Sequence, residues 1–192
     1  MASSLLRTII RAILPAINKV HTVVLGIKPL ERNSVICIEI KRYRGSPIKL
    51  EDGCEIRPGD PVIKLHFNDA WMAERLWSSS GPGTIGFPGG FFYRFKDGLR
   101  LLATEVADGK YGGIVAVYGW TVFYAHARRL GFQVIDLPDT LRIKLAQLHI
   151  AALMQSHQAP RFKRHISSRK SVKVKAVWLS RAALLKILDQ VM

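Results

Sequence analysis

Ser34-Val35-Ile36-Cys37-Ile38-Glu39-Ile40-Lys41-Arg42-Tyr43 is the stretch on which the fold turns. Ile36, Ile38 and Ile40 lie on one side of an extended chain, and Glu39 and Lys41 on the other. Period-two alternation with β-branched residues predicts a strand over 34–43. Two turn signals follow, Asp52-Gly53 and Pro58-Gly59-Asp60, so 47–67 reads as a tight meander. It ends in a second alternating run. Ile63, Leu65 and Phe67 share one face of it, and Val62, Lys64 and His66 the other.

Further along, Asp69 is placed to cap a short helix over 70–79. Residues 80–90 hold five glycines and two prolines and read as a loop or flap. Phe91, Phe95, Leu99, Leu102 and Val106 recur at helical spacing, which predicts a helix over 91–107 ended by Gly109. Gly98 weakens that helix by about 1 kcal/mol relative to alanine. A strand over 113–118 follows. Thr121 then caps a helix that stops at Leu130, with Gly131 in the left-handed position.

A strand over 132–137 comes next, and a helix over 139–156 carries Leu141, Leu145, Leu148 and Ala152 on one side. Val172, Val174, Ala176 and Trp178 alternate with Lys173 and Lys175 in a half-buried strand, and Ser180 caps a last helix reaching Gln190. Strands and helices mixed in this way define an α+β fold: a single mixed or antiparallel sheet with helices packed against it.

The first thirty residues differ in kind. Over 3–25, Ser4, Arg7, Thr8, Arg11, Pro15, Asn18, Lys19 and Thr22 fall in one arc of a helix whose remaining surface is mostly Leu, Ile, Val and Ala. Pro15 kinks or splits it. Such a helix either packs on the domain with its basic stripe outward or lies in a membrane interface. The organisation is therefore an amphipathic N-terminal helix, 1–30, and one domain, 31–192, with a basic loop at 157–175.

With 192 residues, 48% of them hydrophobic, the chain suffices for one sizeable core and lacks the composition of a disordered protein. The net charge is +15. Residues 31–80 are neutral, with eight basic and eight acidic side chains, whereas 141–192 hold eleven basic residues and one acid. Four more basic residues and no acid occupy 1–30. Charge of one sign at both ends selects for polyanionic partners. Cys37 and Cys54 sit in no C-x-x-C, and Cys37 lies in an apolar run as a buried thiol, which fits a reducing compartment. No run of about 18 apolar residues exists. The N-terminal segment lacks a cleavage site, so the expectation is a cytoplasmic chain, peripheral to the inner membrane where it associates at all.

The densest charge is Arg161, Lys163, Arg164, Arg169, Lys170, Lys173 and Lys175, with no acid among them. His157 and His165 add to it at low pH. This tract suits phosphate or anionic lipid. Phe162 is its one aromatic, so it does not form a stacking platform for single-stranded nucleic acid. The 81–90 loop lacks the G-K-[ST] ending of a P-loop.

His66, at a strand end before Asn68 and Asp69, is the candidate acid–base residue. His66, Asn68, Arg128 and Arg129 are candidate ligand contacts. The plain alternatives are a structural histidine and two cations that favour a helix C-terminus. No H-E-x-x-H or C-x-x-C points to a metal, no G-x-S-x-G to a serine hydrolase, and nothing to a cofactor.

Tyr43-Arg44-Gly45, then Leu50-x-Asp52-Gly53-x-x-Ile56-x-x-Gly59-Asp60, then Leu65-His66-x-Asn68 resemble the YkoP-like family of bacterial proteins. Tyr118-Gly119-x-Thr121, Arg129-Leu130-Gly131-Phe132 and Val177-Trp178-Leu179-Ser180-Arg181 are similar to its later motifs. The resemblance spans about 35–188 and implies a cell-envelope setting, because such domains occur beside polysaccharide deacetylases. It transfers no catalytic residue, and the deacetylase metal motifs are absent from this chain.

The expectation is thus an accessory or ligand-binding protein of envelope glycan or lipid metabolism, acting at anionic lipid or anionic glycan. Two alternatives stand beside it: an enzyme that uses His66 on a phosphorylated or glycan-linked substrate, and a non-specific nucleic-acid binder.

Overall fold

The computed structural model describes residues 26–68, 71, 89–138, 140, 143–144 and 173–189. The expected helix at 3–25, all but Trp71 of the one at 70–79, most of the 80–90 loop, nearly all of the 139–156 helix, and Arg161, Lys163, Arg164, Arg169 and Lys170 lie outside the described residues.

The elements in chain order are β1 (Lys28–Pro29), β2 (Ile36–Arg42), β3 (Ile48–Lys49), β4 (Glu55–Ile56), β5 (Pro61–Phe67), α1 (Gly89–Ala107), β6 (Ala116–Thr121), α2 (Tyr124–Arg129), β7 (Gln133–Ile135), β8 (Lys175–Ser180) and α3 (Arg181–Asp189). Six strands make one mixed sheet in the order β1-β2-β5-β6-β8-β7, and β3 and β4 pair as a separate hairpin. All neighbours are antiparallel except β5 and β6. A parallel pair needs a crossover, and α1 supplies it. The α+β expectation holds.

The pleat divides the sheet into two faces with a core on each. Ile36, Ile38, Ile63, Leu65, Val117, Val177 and Leu179 pack beneath helix residues that include Leu99, Leu102, Val106, Leu184 and Ile187. The opposite face carries Val62, Ala116, Tyr118, Ala176 and Trp178, and the hairpin covers it with Ile56 and the nearby Leu50. Tyr118 stacks on Trp178 at 4.4 Å, and Tyr43 meets Trp178 edge-on at 5.5 Å. The β8 strand is therefore buried on both faces, not half-buried, because the helices cover Val177 and Leu179 while the hairpin side covers Ala176 and Trp178.

Three local expectations change. The 113–118 strand forms three residues later, at Ala116–Thr121, after a turn at Gly112. Thr121 consequently ends a strand instead of capping a helix. Its Oγ1 accepts the N–H of Phe123 at 2.9 Å, and α2 begins at Tyr124 with no side-chain cap. Ile40 is 56% exposed although Ile36 and Ile38 on its face are buried. The two-residue β1 pairs only with Ile38 and Cys37, so Ile40 has no strand beside it on that edge among the described residues.

Gly98 has a packing reason. A Cβ there would stand 2.9 Å from Ile36 Cδ1 and 3.3 Å from its Cγ1. Its absence lets α1 sit directly on β2, which repays the lost helix propensity. At the other end of the chain, Ser180 caps α3 as expected, accepting the N–H of Ala183 at 2.9 Å.

Candidate functional site

The four ligand candidates from the sequence divide between two regions. His66 and Asn68 belong to β5 and the turn after it. Asn68 is built into the backbone. Its N–H donates to the Val35 carbonyl at 2.9 Å, its Nδ2 to the Ser34 carbonyl at 3.0 Å, and its Oδ1 accepts from the Trp71 N–H at 3.1 Å.

His66 sits on the hairpin-side face, opposite Cys37 in the register, with Glu39 as its diagonal neighbour. His66 Nε2 lies 3.0 Å from Glu39 Oε2, and Lys41 Nζ lies 2.6 Å from Glu39 Oε1. The carboxylate is 5% exposed and the imidazole 20%. Burial pushes the Glu39 carboxyl up. Hydrogen bonds from Lys41 and His66, with the charges of Lys41 and Lys64, outweigh burial and hold it below its ordinary value. An ionised carboxylate only accepts, so Nε2 carries the proton in this contact. Lys64, directly across from Glu39, lies over the Trp120 ring at 5.0 Å.

Arg128 and Arg129 occupy the helix-side face. The stop after them is a Schellman turn: Phe132 N–H donates to the Ala127 carbonyl at 3.1 Å and Gly131 N–H to the Arg128 carbonyl at 3.0 Å. Gly131 has φ +89°, the left-handed conformation that favours glycine. Phe132, buried just beyond, anchors the turn in the core. Both arginines thereby project from the last turn of α2 into a concavity of about 370 Å³.

Lys96 from α1 and Lys186 from α3 line the same groove. Its walls between the cations are apolar: Leu99, Leu130, Leu179, Ala183 and Ile187. Among the described residues no carboxylate lines it, and none of the four cations takes part in an ion pair. Asp97, beside Lys96 in sequence, is paired with Arg100. Uncompensated cations around a groove lower the energy of any anion inside it, and arginine forks suit the oxygens of phosphate or carboxylate.

The sequence candidates therefore do not converge on one pocket. Leu179, which lines the groove, belongs to the face opposite the one that carries His66. Sequence reasoning missed Lys96, Lys186 and Glu39. The two lysines meet the arginines only because α1 packs on α3. Of the basic tract, Lys175 is engaged: its Nζ lies 2.8 Å from Asp136 Oδ1 and 5.2 Å from the Tyr124 ring centre. Its hydrogen bond and charge, with the charge of Lys173, hold the Asp136 carboxyl below its ordinary value. Lys173 is exposed.

Among the described residues no three His, Cys, Asp or Glu side chains are grouped to hold a metal ion, and no helix is long and apolar enough to cross a membrane. Cys37 and Cys54 are not joined in a disulfide, and Cys37 is buried as expected.

A six-stranded mixed sheet with helices on one face and a hairpin on the other defines an α+β domain with a cation-lined groove between its helices. The chain matches the YkoP domain over residues 7–188 and belongs to that family. It is also similar to a curated Bacillus subtilis (strain 168) protein named "Uncharacterized protein YkoP", with 26% identity over 106 residues. That match covers 55% of this chain and 57% of the relative, so it spans little more than half of either. No solved structure matches.

Proposed function

We propose that the chain is a ligand-binding or accessory protein that works against a polyanionic surface, such as anionic lipid or an anionic envelope glycan. The observation that carries this reading is the groove in which Lys96, Arg128, Arg129 and Lys186 converge with no carboxylate among the described lining residues. Unpaired cations are ordinarily spread over a surface and screened by salt. Here four of them, drawn from three helices, surround one concavity. The basic excess of 1–30 and 141–192 adds long-range attraction to the same class of partner. The envelope setting comes from the family resemblance alone.

Co-sedimentation of the full chain with anionic and with zwitterionic vesicles, at low and high salt, tests the reading. Salt-sensitive binding to the anionic vesicles alone is the expected result. Failure to bind them at low salt overturns the lipid form of the reading, and tighter salt-sensitive binding to duplex or single-stranded nucleic acid in a gel shift replaces it.

A second reading draws on the Glu39–His66 contact. A carboxylate that orients an imidazole is the arrangement acid–base catalysis uses. An enzyme built on it acts on the hairpin-side face, away from the groove. Loss of turnover in His66→Gln, with anion binding intact, distinguishes it.

A further inference from the structure

The cationic groove has an aromatic border. Tyr93 is 74% exposed, the most exposed large hydrophobic side chain among the described residues. It precedes Lys96 by one turn of α1, so the two are neighbours on the helix surface. Phe92 flanks Lys96 in the same way and stacks on His126 of α2, with ring centres 4.3 Å apart and planes 17° apart. His126 in turn lies one turn before Arg129. A continuous strip thus runs from Tyr93 through Lys96 and the Phe92–His126 stack to Arg129, and Lys186 of α3 lines the same groove.

The fold explains neither the exposed ring nor the cations of α1. Tyr93 leaves most of its apolar surface in water, which is unfavourable. α1 has no acid in its first turn, where the helix dipole favours one, and its first charged side chains are Arg94 and Lys96. Asp97, the one acid in the first half of α1, is paired with Arg100. Glu105 lies near the far end and is paired with Lys110. Aromatic rings and positive charge are therefore collected at the same end of the helix.

A tyrosine beside lysine and arginine suits a membrane–water interface. The ring sits at the depth of the headgroups, and the long cationic side chains reach the lipid phosphates. A single-stranded nucleic acid calls for a row of exposed rings on which successive bases stack. Among the described residues Tyr93 is the only exposed Phe, Tyr or Trp.

We propose that the rim formed by α1 and α2 is the face that rests on an anionic bilayer, with Tyr93 among the headgroups and Lys96, Arg129 and Lys186 on the lipid phosphates. This rests on the anionic-surface reading above and assigns its contact face and orientation.

The test is co-sedimentation with vesicles of phosphatidylglycerol and phosphatidylcholine over a range of salt. It uses the full chain and a parallel chain with Arg161, Lys163, Arg164, Arg169 and Lys170 changed to Gln, which removes the competing basic tract. Tyr93→Ala should weaken binding by about fivefold or more in both, with the salt dependence unchanged, since part of an aromatic ring leaves the interface. Tyr93→Trp should retain binding. Lys96→Gln/Arg129→Gln/Lys186→Gln should weaken it by about twentyfold or more at low salt and flatten the salt dependence. Circular dichroism and the urea midpoint should stay as in the wild type. Binding unchanged by Tyr93→Ala overturns the proposed face, whatever the cations do. Binding that survives both variants and is lost only with the basic tract also overturns it, and leaves the anionic-surface reading standing. No binding of the wild-type chain at low salt overturns both this face and the lipid form of that reading. Tighter, Tyr93-dependent binding to oligo(dT) makes the strip a nucleic-acid surface and overturns the bilayer as its partner.

Discussion

Ser180 Oγ donates to the carboxylate of Asp52, 128 residues earlier in the chain, while accepting the backbone N–H of Ala183. One hydroxyl thus ties the hairpin turn on one face of the sheet to the start of α3 on the other. Asp52 is not idle beyond this contact, since its Oδ1 accepts the Cys54 N–H at 3.1 Å and shapes the turn.

Ser180→Ala removes both the α3 cap and the hydrogen bond to the exposed Asp52 carboxylate. We expect a loss of about 1–2 kcal/mol, the upper part of the range for N-cap deletions. Urea unfolding measures it. A loss within about 0.3 kcal/mol of zero contradicts the coupling, since such changes are typical of uninvolved surface sites.

Gly98→Ala tests the approach of α1 to β2. Helix propensity favours alanine by about 1 kcal/mol, whereas overpacking a filled core costs about 1–3 kcal/mol. The nearest atom is the terminal Cδ1 of Ile36, but Cγ1 also stands at 3.3 Å and the side chain is 0% exposed, so any shift is into a filled core and overpacking wins. The expected net loss is about 1 kcal/mol. Recovery in Gly98→Ala/Ile36→Val identifies the contact as the cause, and a stabilised single variant rules it out.

The pH dependence follows from Glu39. Its carboxyl is held below its ordinary value of 4.5. A depressed carboxyl contributes stability that is fully present above the unfolded value and is lost as the pH falls through the folded one. Stability therefore drops on acidification from about pH 5 downward. The Glu39→Gln chain is less stable at neutral pH, with a shallower drop in that window. Denaturation midpoints at intervals of pH check this; parallel curves for the two chains contradict it. Asp136, shifted in the same direction, is exposed and adds little.

The Cys54 thiol is pushed up by burial and then by the charges of Asp52 and Asp60. Thiolate is the reactive form, so alkylation of Cys54 by iodoacetamide at pH 8 should be slower in the folded chain than in urea, by about tenfold or more. Mass spectrometry of Cys37→Ser resolves the rate. Equal rates contradict the half-buried environment of this residue.

How far the sequence reached depends on the range of the contacts. β2, β5 and the turns between them were legible because alternation and Gly-containing turns are local signals. The Gly131 stop and the Ser180 cap were legible for the same reason. Thr121 misled because a threonine before an apolar run looks like a cap, and only the pairing of β6 with β8 shows that it ends a strand. Gly98 looked like a weakness in a helix until Ile36, 62 positions away in sequence, was seen beneath it. Glu39 had only its place beside Lys41 on the other side of an alternating strand to mark it; the strand register is what brings it to 3.0 Å from His66.

The groove shows the same limit. Arg128 and Arg129 stood out as a pair at a predicted helix end. Lys96 and Lys186 are single lysines on amphipathic helices, with no local mark to separate them from ordinary surface charge. Their meeting depends on α1 packing against α3, which the sequence pattern does not specify.

The central claim is that Lys96, Arg128, Arg129 and Lys186 form one anion site. Titration of inorganic pyrophosphate into the wild-type chain and into Lys96→Gln/Lys186→Gln, in the background lacking the 161–170 charges, tests it most directly. The account predicts binding that weakens with salt and falls by about tenfold in the double variant. Pyrophosphate affinity unchanged by that double substitution contradicts it.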